Sequence, residues 1–127
     1  MNAEELNITN DSQDKQFLDK VLGVVTDNYK DPYFDVMEFT AKMGVSRSLL
    51  HRKLDSLVGQ SASKLIRTFR LNKAQILIEQ SNRSKNISEI AYDVGFNDPK
   101  YFTRCFTKHF GFSPSDLIEK NIPKNRE

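Results

Sequence analysis

The sequence predicts an all-α fold: two helix-turn-helix subdomains joined by a long linker helix, about seven helices in all. Three observations carry that expectation. The chain contains an imperfect repeat in which the segment from Gly44 through Arg52 to Gly59 and Ser61 has a counterpart about fifty residues later. With one residue inserted after Asn97, Gly44 aligns with Gly95, Arg52 with Arg104 and Gly59 with Gly111, while Ser61, Ser63, Leu65 and Ile66 align with Ser113, Ser115, Leu117 and Ile118. Helix-start signals punctuate the chain, and no stretch sustains the period-2 alternation of a half-buried strand.

Each element has its own warrant. Residues 1–13 are polar and lack an apolar period, so a flexible acidic leader is expected. A first helix is expected from Asp14 to Asn28, with Phe17, Leu18, Val21, Leu22 and Val25 as its stripe. The Tyr29-Lys30-Asp31-Pro32 segment breaks it. Asp35 and Glu38 have capping-box spacing and open a second helix that ends near Gly44. Ser46 caps a third, running to about Val58 with Leu50, Leu54, Leu57 and Val58 inward. Residues 61–80 form the linker helix, on which Lys64, Arg67, Arg70 and Lys73 wind around more than one face. After a polar loop at residues 81–85, Asn86 and Glu89 open a fifth helix to about Val94. Asp98-Pro99 starts a sixth helix that buries Phe102, Phe106 and Phe110, and Ser113-Pro114 starts a seventh that ends near Lys120. Residues 121–127 are expected to be a flexible tail. The organisation is therefore leader 1–13, first subdomain 14–60, linker 61–80, second subdomain 81–120 and tail.

Composition bounds the function. A chain of 127 residues with nine Phe can build one modest core. No apolar run reaches the roughly 20 residues of a membrane span, so no membrane partner is expected. A single cysteine suits a reducing compartment, and the cytoplasm is the expected location. The net charge of +2 divides unevenly, with −4 on residues 1–19 and +6 on the rest. A basic body is the electrostatic footprint of phosphate binding.

On a wheel of about 100° per residue, Lys100, Thr103, Arg104 and Thr107 share one arc of the sixth helix, with Lys108 at its edge and the three Phe opposite. Such a front suits a major groove: arginine pairs bidentately with guanine, and threonine meets either base type or the thymine methyl. The equivalent front of the third helix is Ser48, His51, Arg52 and Asp55. Arg52 and Arg104 are the expected base readers of the two fronts, with His51 or Ser48 as adaptable neighbours in the first. Contacts to the DNA backbone are expected from Ser46, Arg47, Lys53, Asn97 and Lys108.

Two other classes compete. An enzyme would need a constellation that is missing: the chain has no phosphate-cradling glycine loop and no HExxH or CxxC metal pair, so neither cofactor nor metal is expected. His109 falls among apolar positions and is expected to be a partly buried structural histidine, and Cys105 a small core hydrophobe. A helical protein-interaction module is the alternative function. It predicts apolar or acidic recognition faces, against the Arg/Lys/Thr fronts observed.

The run from Ile87 through Ile90-Ala91, Val94-Gly95-Phe96, Tyr101-Phe102, Arg104, Phe106, Lys108 and Gly111 to Ser113-Pro114-Ser115 resembles the C-terminal signature of AraC/XylS-type transcriptional regulators. Gly44-Val45-Ser46, Leu50, Arg52 and Arg70-Leu71-x-x-Ala74 resemble that family's first helix-turn-helix and its linker. The resemblance covers about residues 15–120. It implies two recognition helices in successive major grooves of double-stranded DNA and a role in transcription, with activation the expected sense and RNA polymerase a further partner. It also implies that Ser48, His51, Arg52, Lys100, Thr103 and Arg104 face bases, with Pro99 beside them. Leu117-Ile118 departs from a frequent aromatic-arginine pair and removes one expected phosphate contact. The spacing and the Gly59-Gln60-Ser61 turn are similar to the output domains of hybrid two-component regulators, in which residues 1–13 would end an interdomain linker. The isolated domain is expected to be monomeric, and a full-length regulator dimeric.

Overall fold

The computed structural model describes the backbone of residues 3–81 and 85–120, with side chains for 11–80 and 85–120. Among the described residues the chain forms seven helices and no strand: α1 (Ala3–Asn28), α2 (Val36–Met43), α3 (Arg47–Val58), α4 (Ala62–Ser81), α5 (Ile87–Asp93), α6 (Pro99–Phe110) and α7 (Pro114–Lys120). The all-α expectation holds. The start of the first helix differs: α1 begins at Ala3, not Asp14, and takes in most of the expected leader. Neither glycine nor proline stands before Gly23 to stop a helix, and Glu4 and Glu5 suit its positive N-terminal end. The apolar stripe begins at Phe17 and so marked only the later turns of α1. Most of the expected loop, at 82–84, and the expected tail at 121–127 lie outside the described residues.

The caps sit where the sequence put them. Asp35 accepts from the Glu38 amide, Ser46 from Leu49, Asn86 from Glu89 and Asp98 from Lys100, at 2.8–3.1 Å. Ser61 and Ser113, equivalent in the repeat, accept from the Lys64 and Asp116 amides three residues on. Asp116 returns a bond by accepting from the Ser113 amide, completing a capping box. Each such cap is worth about 1 kcal/mol.

One core runs through both halves. Helix α4 packs against α2 and α3 on one side and against α5, α6 and α7 on the other. Val25, Phe39, Leu50 and Leu54 of the first half, Leu71, Ala74 and Ile78 of α4, and Ile90, Phe102, Phe106 and Leu117 of the second half are all buried in one cluster. The second half is held by rings in series, with Phe96–Phe102, Phe102–Phe106 and Phe106–Phe110 centroids at 5.1, 5.7 and 4.5 Å. Full burial of each such side chain stabilises by about 1.5–3 kcal/mol. Of the expected inward residues, Phe17, Leu18, Leu57 and Phe110 are half-buried, and two are exposed, Leu22 at 56% and Val58 at 40%. These two line an open apolar groove between α1, the end of α3 and α4, which no further element covers among the described residues.

The halves are also latched by one residue. Arg70 of α4 donates through Nε to the Tyr29 carbonyl at 2.9 Å, and through Nη2 to the Asp31 and Phe34 carbonyls at 2.9 and 3.1 Å. Burial pushes its guanidinium below the ordinary arginine value, with the charge of Asp31 acting the other way. Against this latch lies Gly95, the turn glycine of the second half, at φ 98°. A Cβ there would sit 2.1 Å from the Tyr29 carbonyl oxygen and 2.7 Å from Arg70 Nε. The α1–α2 loop of the first half thus meets the tight turn of the second directly at the Tyr29 carbonyl, with Arg70 beside both.

Candidate nucleic-acid interface

Two surfaces carry the candidate chemistry. On α3, Arg47, Ser48, His51, Arg52 and Asp55 are all exposed, one after another along its outer side, while Leu50 and Leu54 anchor the opposite side. The helix starts at the Ser46 cap, after a tight turn in which Gly44 (φ 71°) donates to the Thr40 and Ala41 carbonyls. On α6, Lys100, Arg104, Thr107 and Lys108 are exposed and Thr103 is half-buried, with Phe102 and Phe106 on the buried side. Asn97 is exposed in the turn before α6. The sequence-expected fronts are therefore brought together on each helix.

Their side chains differ in freedom. Arg104 lies over the Tyr101 ring, 5.6 Å from its centroid, which orders the guanidinium without neutralising it. Thr107 donates its hydroxyl to the Thr103 carbonyl at 2.8 Å. Among the described residues, no carboxylate lies within salt-bridge distance of Arg47, Arg52, Lys100, Arg104 or Lys108. Uncompensated cations on a convex helical face leave their charge for a partner.

Two expectations about single residues change. Lys53 points to α1: its ammonium is 3.2 Å from Asp14 and 5.2 Å above the Phe17 ring. The contact joins residues 39 apart in sequence, and a helical wheel of α3 alone gives no sign of it. His109 is exposed, not partly buried: it stands in the last turn of α6 and lines the open cleft between α4 and α6. Its ring meets Phe110 edge-on at 4.6 Å. Cys105 is half-buried, as a small residue flanking the core.

Sequence reasoning passed over a cleft of about 620 Å³ between α4 and α6, lined by Lys64, Arg67, Tyr101, Arg104, Lys108 and His109 among others. The three-residue spacing of the α4 cations was visible. What was not visible is that they divide: Arg70 turns to the latch, Lys73 lies over the Tyr29 and Phe69 rings, and Lys64 and Arg67 face α6.

Among the described residues, exposed basic fronts on α3 and α6, in two helical units joined by α4, define a double helix-turn-helix domain. Residues 39–120 match the family model described as a helix-turn-helix domain, and the chain belongs to this AraC-type family. It is 41% identical over 108 residues to histidine kinase P4 of Formosa agariphila, covering 85% of this chain and 8% of the kinase. It is 33% identical over 91 residues to the HTH-type transcriptional activator RhaS of Mannheimia succiniciproducens, covering 72% of this chain and 33% of the activator. The DNA-binding domain of the global transcriptional factor AdpA, solved in complex with a target DNA, superposes with a TM-score of 0.73 at 26% identity. That match covers 81% of this chain and 90% of the AdpA domain. The chain thus spans a small fraction of the kinase and a third of the activator. No described helix is long and apolar enough to cross a membrane.

Proposed function

We propose that this chain binds double-stranded DNA sequence-specifically, placing α3 and α6 in successive major grooves, and thereby regulates transcription. The observation that carries this reading is the repeated pairing of an apolar back with an uncompensated basic front on α3 and α6. Ser48, His51 and Arg52 read bases in one groove, and Lys100, Thr103 and Arg104 in the next. Ser46, Arg47, Asn97 and Lys108 hold the backbone, and Lys53 of α3 is instead engaged by Asp14 of α1. The kinship with an activator and with a domain solved on its target DNA supports the same assignment. Selection of duplexes from a random library tests it: enrichment of a two-block site supports the reading, and a library that stays random overturns it in favour of a protein-interaction module.

The parent protein in this reading is a hybrid sensor whose output domain is this chain. The identity to part of a histidine kinase favours that context over a stand-alone activator. RNA polymerase is the partner through which binding would activate. Comparing transcription from a promoter carrying the selected site, with and without the protein, separates activation from repression.

A further inference from the structure

We infer that the α4/α6 cleft is a seat for DNA backbone phosphates bordering the minor groove between the two recognition sites. This rests on the reading of α3 and α6 as major-groove helices.

The cleft brings Lys64 and Arg67 of α4 opposite Arg104, Lys108 and His109 of α6, with no carboxylate in its lining. Neither Lys64 nor Arg67 has a salt-bridge partner among the described residues. Four permanent cations from two helices therefore face one open volume without a counter-ion. Cations held together repel one another, and an anion entering between them relieves that repulsion.

Position identifies the anion. At about 100° per residue, Arg104 and Lys108 lie on the flank of α6 next to its Lys100/Thr103/Thr107 front. That flank is the one turned toward α4, as the shared lining shows. The cleft therefore opens beside the α6 front, on the side of the helix that joins the two halves. A duplex offering successive major grooves on one face offers its minor groove between them, edged by phosphates of both strands. The phosphodiester oxygens there are the anions nearest to Lys64 and Arg67. The Thr68 hydroxyl and the Tyr101 phenol in the same lining add neutral donors.

The linker helix is then a third, sequence-blind contact, and it is tested with α6 left intact. Lys64→Gln/Arg67→Gln should lower the slope of log K against log salt by about 1.8, at about 0.9 per phosphate. Base preferences in both blocks should stay as in the parent. Neutral methylphosphonate linkages placed along the parent's site give an independent reading that needs no variant. Affinity should fall when linkages bordering the central minor groove are neutralised, and the double variant should be insensitive to the same change. An unchanged slope, or sensitivity confined to the major-groove flanks, overturns the phosphate seat while leaving the two-groove reading standing. A parent protein that selects no sequence at all overturns the underlying reading instead.

Discussion

At the scale of single residues, Arg52 and Arg104 should dominate recognition, because each is exposed, uncompensated and equivalent in the repeat. Replacing either with alanine should weaken specific binding by about 1–3 kcal/mol and relax preference at one or two positions. Titration of each variant against single-base variants of the selected site checks this, and unchanged preferences would refute the assignment. Lys53→Ala should behave differently. Its ammonium already faces Asp14, and both partners keep about a third of their side-chain surface exposed. The salt slope of DNA binding should stay constant, and stability should fall by no more than about 1 kcal/mol. A drop in slope of about 0.9 would return Lys53 to the DNA backbone. The α3 and α6 fronts were legible in the sequence because helical spacing fixes which residues share a face. The engagements of Lys53 and Arg70 were not, since their partners lie 36 to 41 residues away and no local pattern encodes them.

At the scale of elements, helix starts were the most legible feature, because a cap is a local bargain between one side chain and one amide three residues or fewer away. The start of α1 escaped, since no apolar period runs through residues 3–13. The turns show how alike two positions can look in sequence and how differently they weigh. Gly59 and Gly95 both have positive φ, but a Cβ at Gly59 meets nothing within 4 Å, whereas one at Gly95 meets the Tyr29 carbonyl at 2.1 Å. Gly59→Ala should cost only the left-handed backbone, about 1–2 kcal/mol. Gly95→Ala adds a clash with main chain that cannot swing aside, and its loss should exceed about 3 kcal/mol. Denaturant unfolding of the two variants compares them directly. Equal losses would mean that the latch yields to the added methyl.

At the scale of the whole molecule, α4 has 20 residues and is therefore about 30 Å long. With the width of the modules at its ends, the two fronts should fall about one turn of duplex apart, near 34 Å. The selected site should be bipartite, with block centres about 10 bp apart. It should not be palindromic, because Ser48/His51/Arg52 differs from Lys100/Thr103/Arg104. Inserting 5 bp between the blocks should abolish high-affinity binding, and inserting 10 bp should not restore it. A palindromic optimum, or tolerance of the 5 bp insertion, would refute the two-groove monomer. Arg70→Met removes the three bonds of the latch. This variant should discriminate less than the parent against sites lengthened or shortened by one base pair, at unchanged preference within each block. A variant that remains as strict as the parent would place the control of spacing in the core contacts of α4 alone.

If Arg70 and Gly95 hold the two halves at a fixed pitch, the protein is stiffer than the duplex it meets, and DNA takes up any mismatch in length or twist. Bending a site of 20–30 bp costs on the order of 1–6 kcal/mol, depending on the sequence being bent. Base pairs that no side chain reaches would then affect affinity through their elasticity. The centre of the site should favour easily deformed pyrimidine–purine steps, and replacing them with a stiff A-tract should weaken binding with both blocks intact. Mobility of the complex with the site moved along a fragment of fixed length would reveal the bend directly.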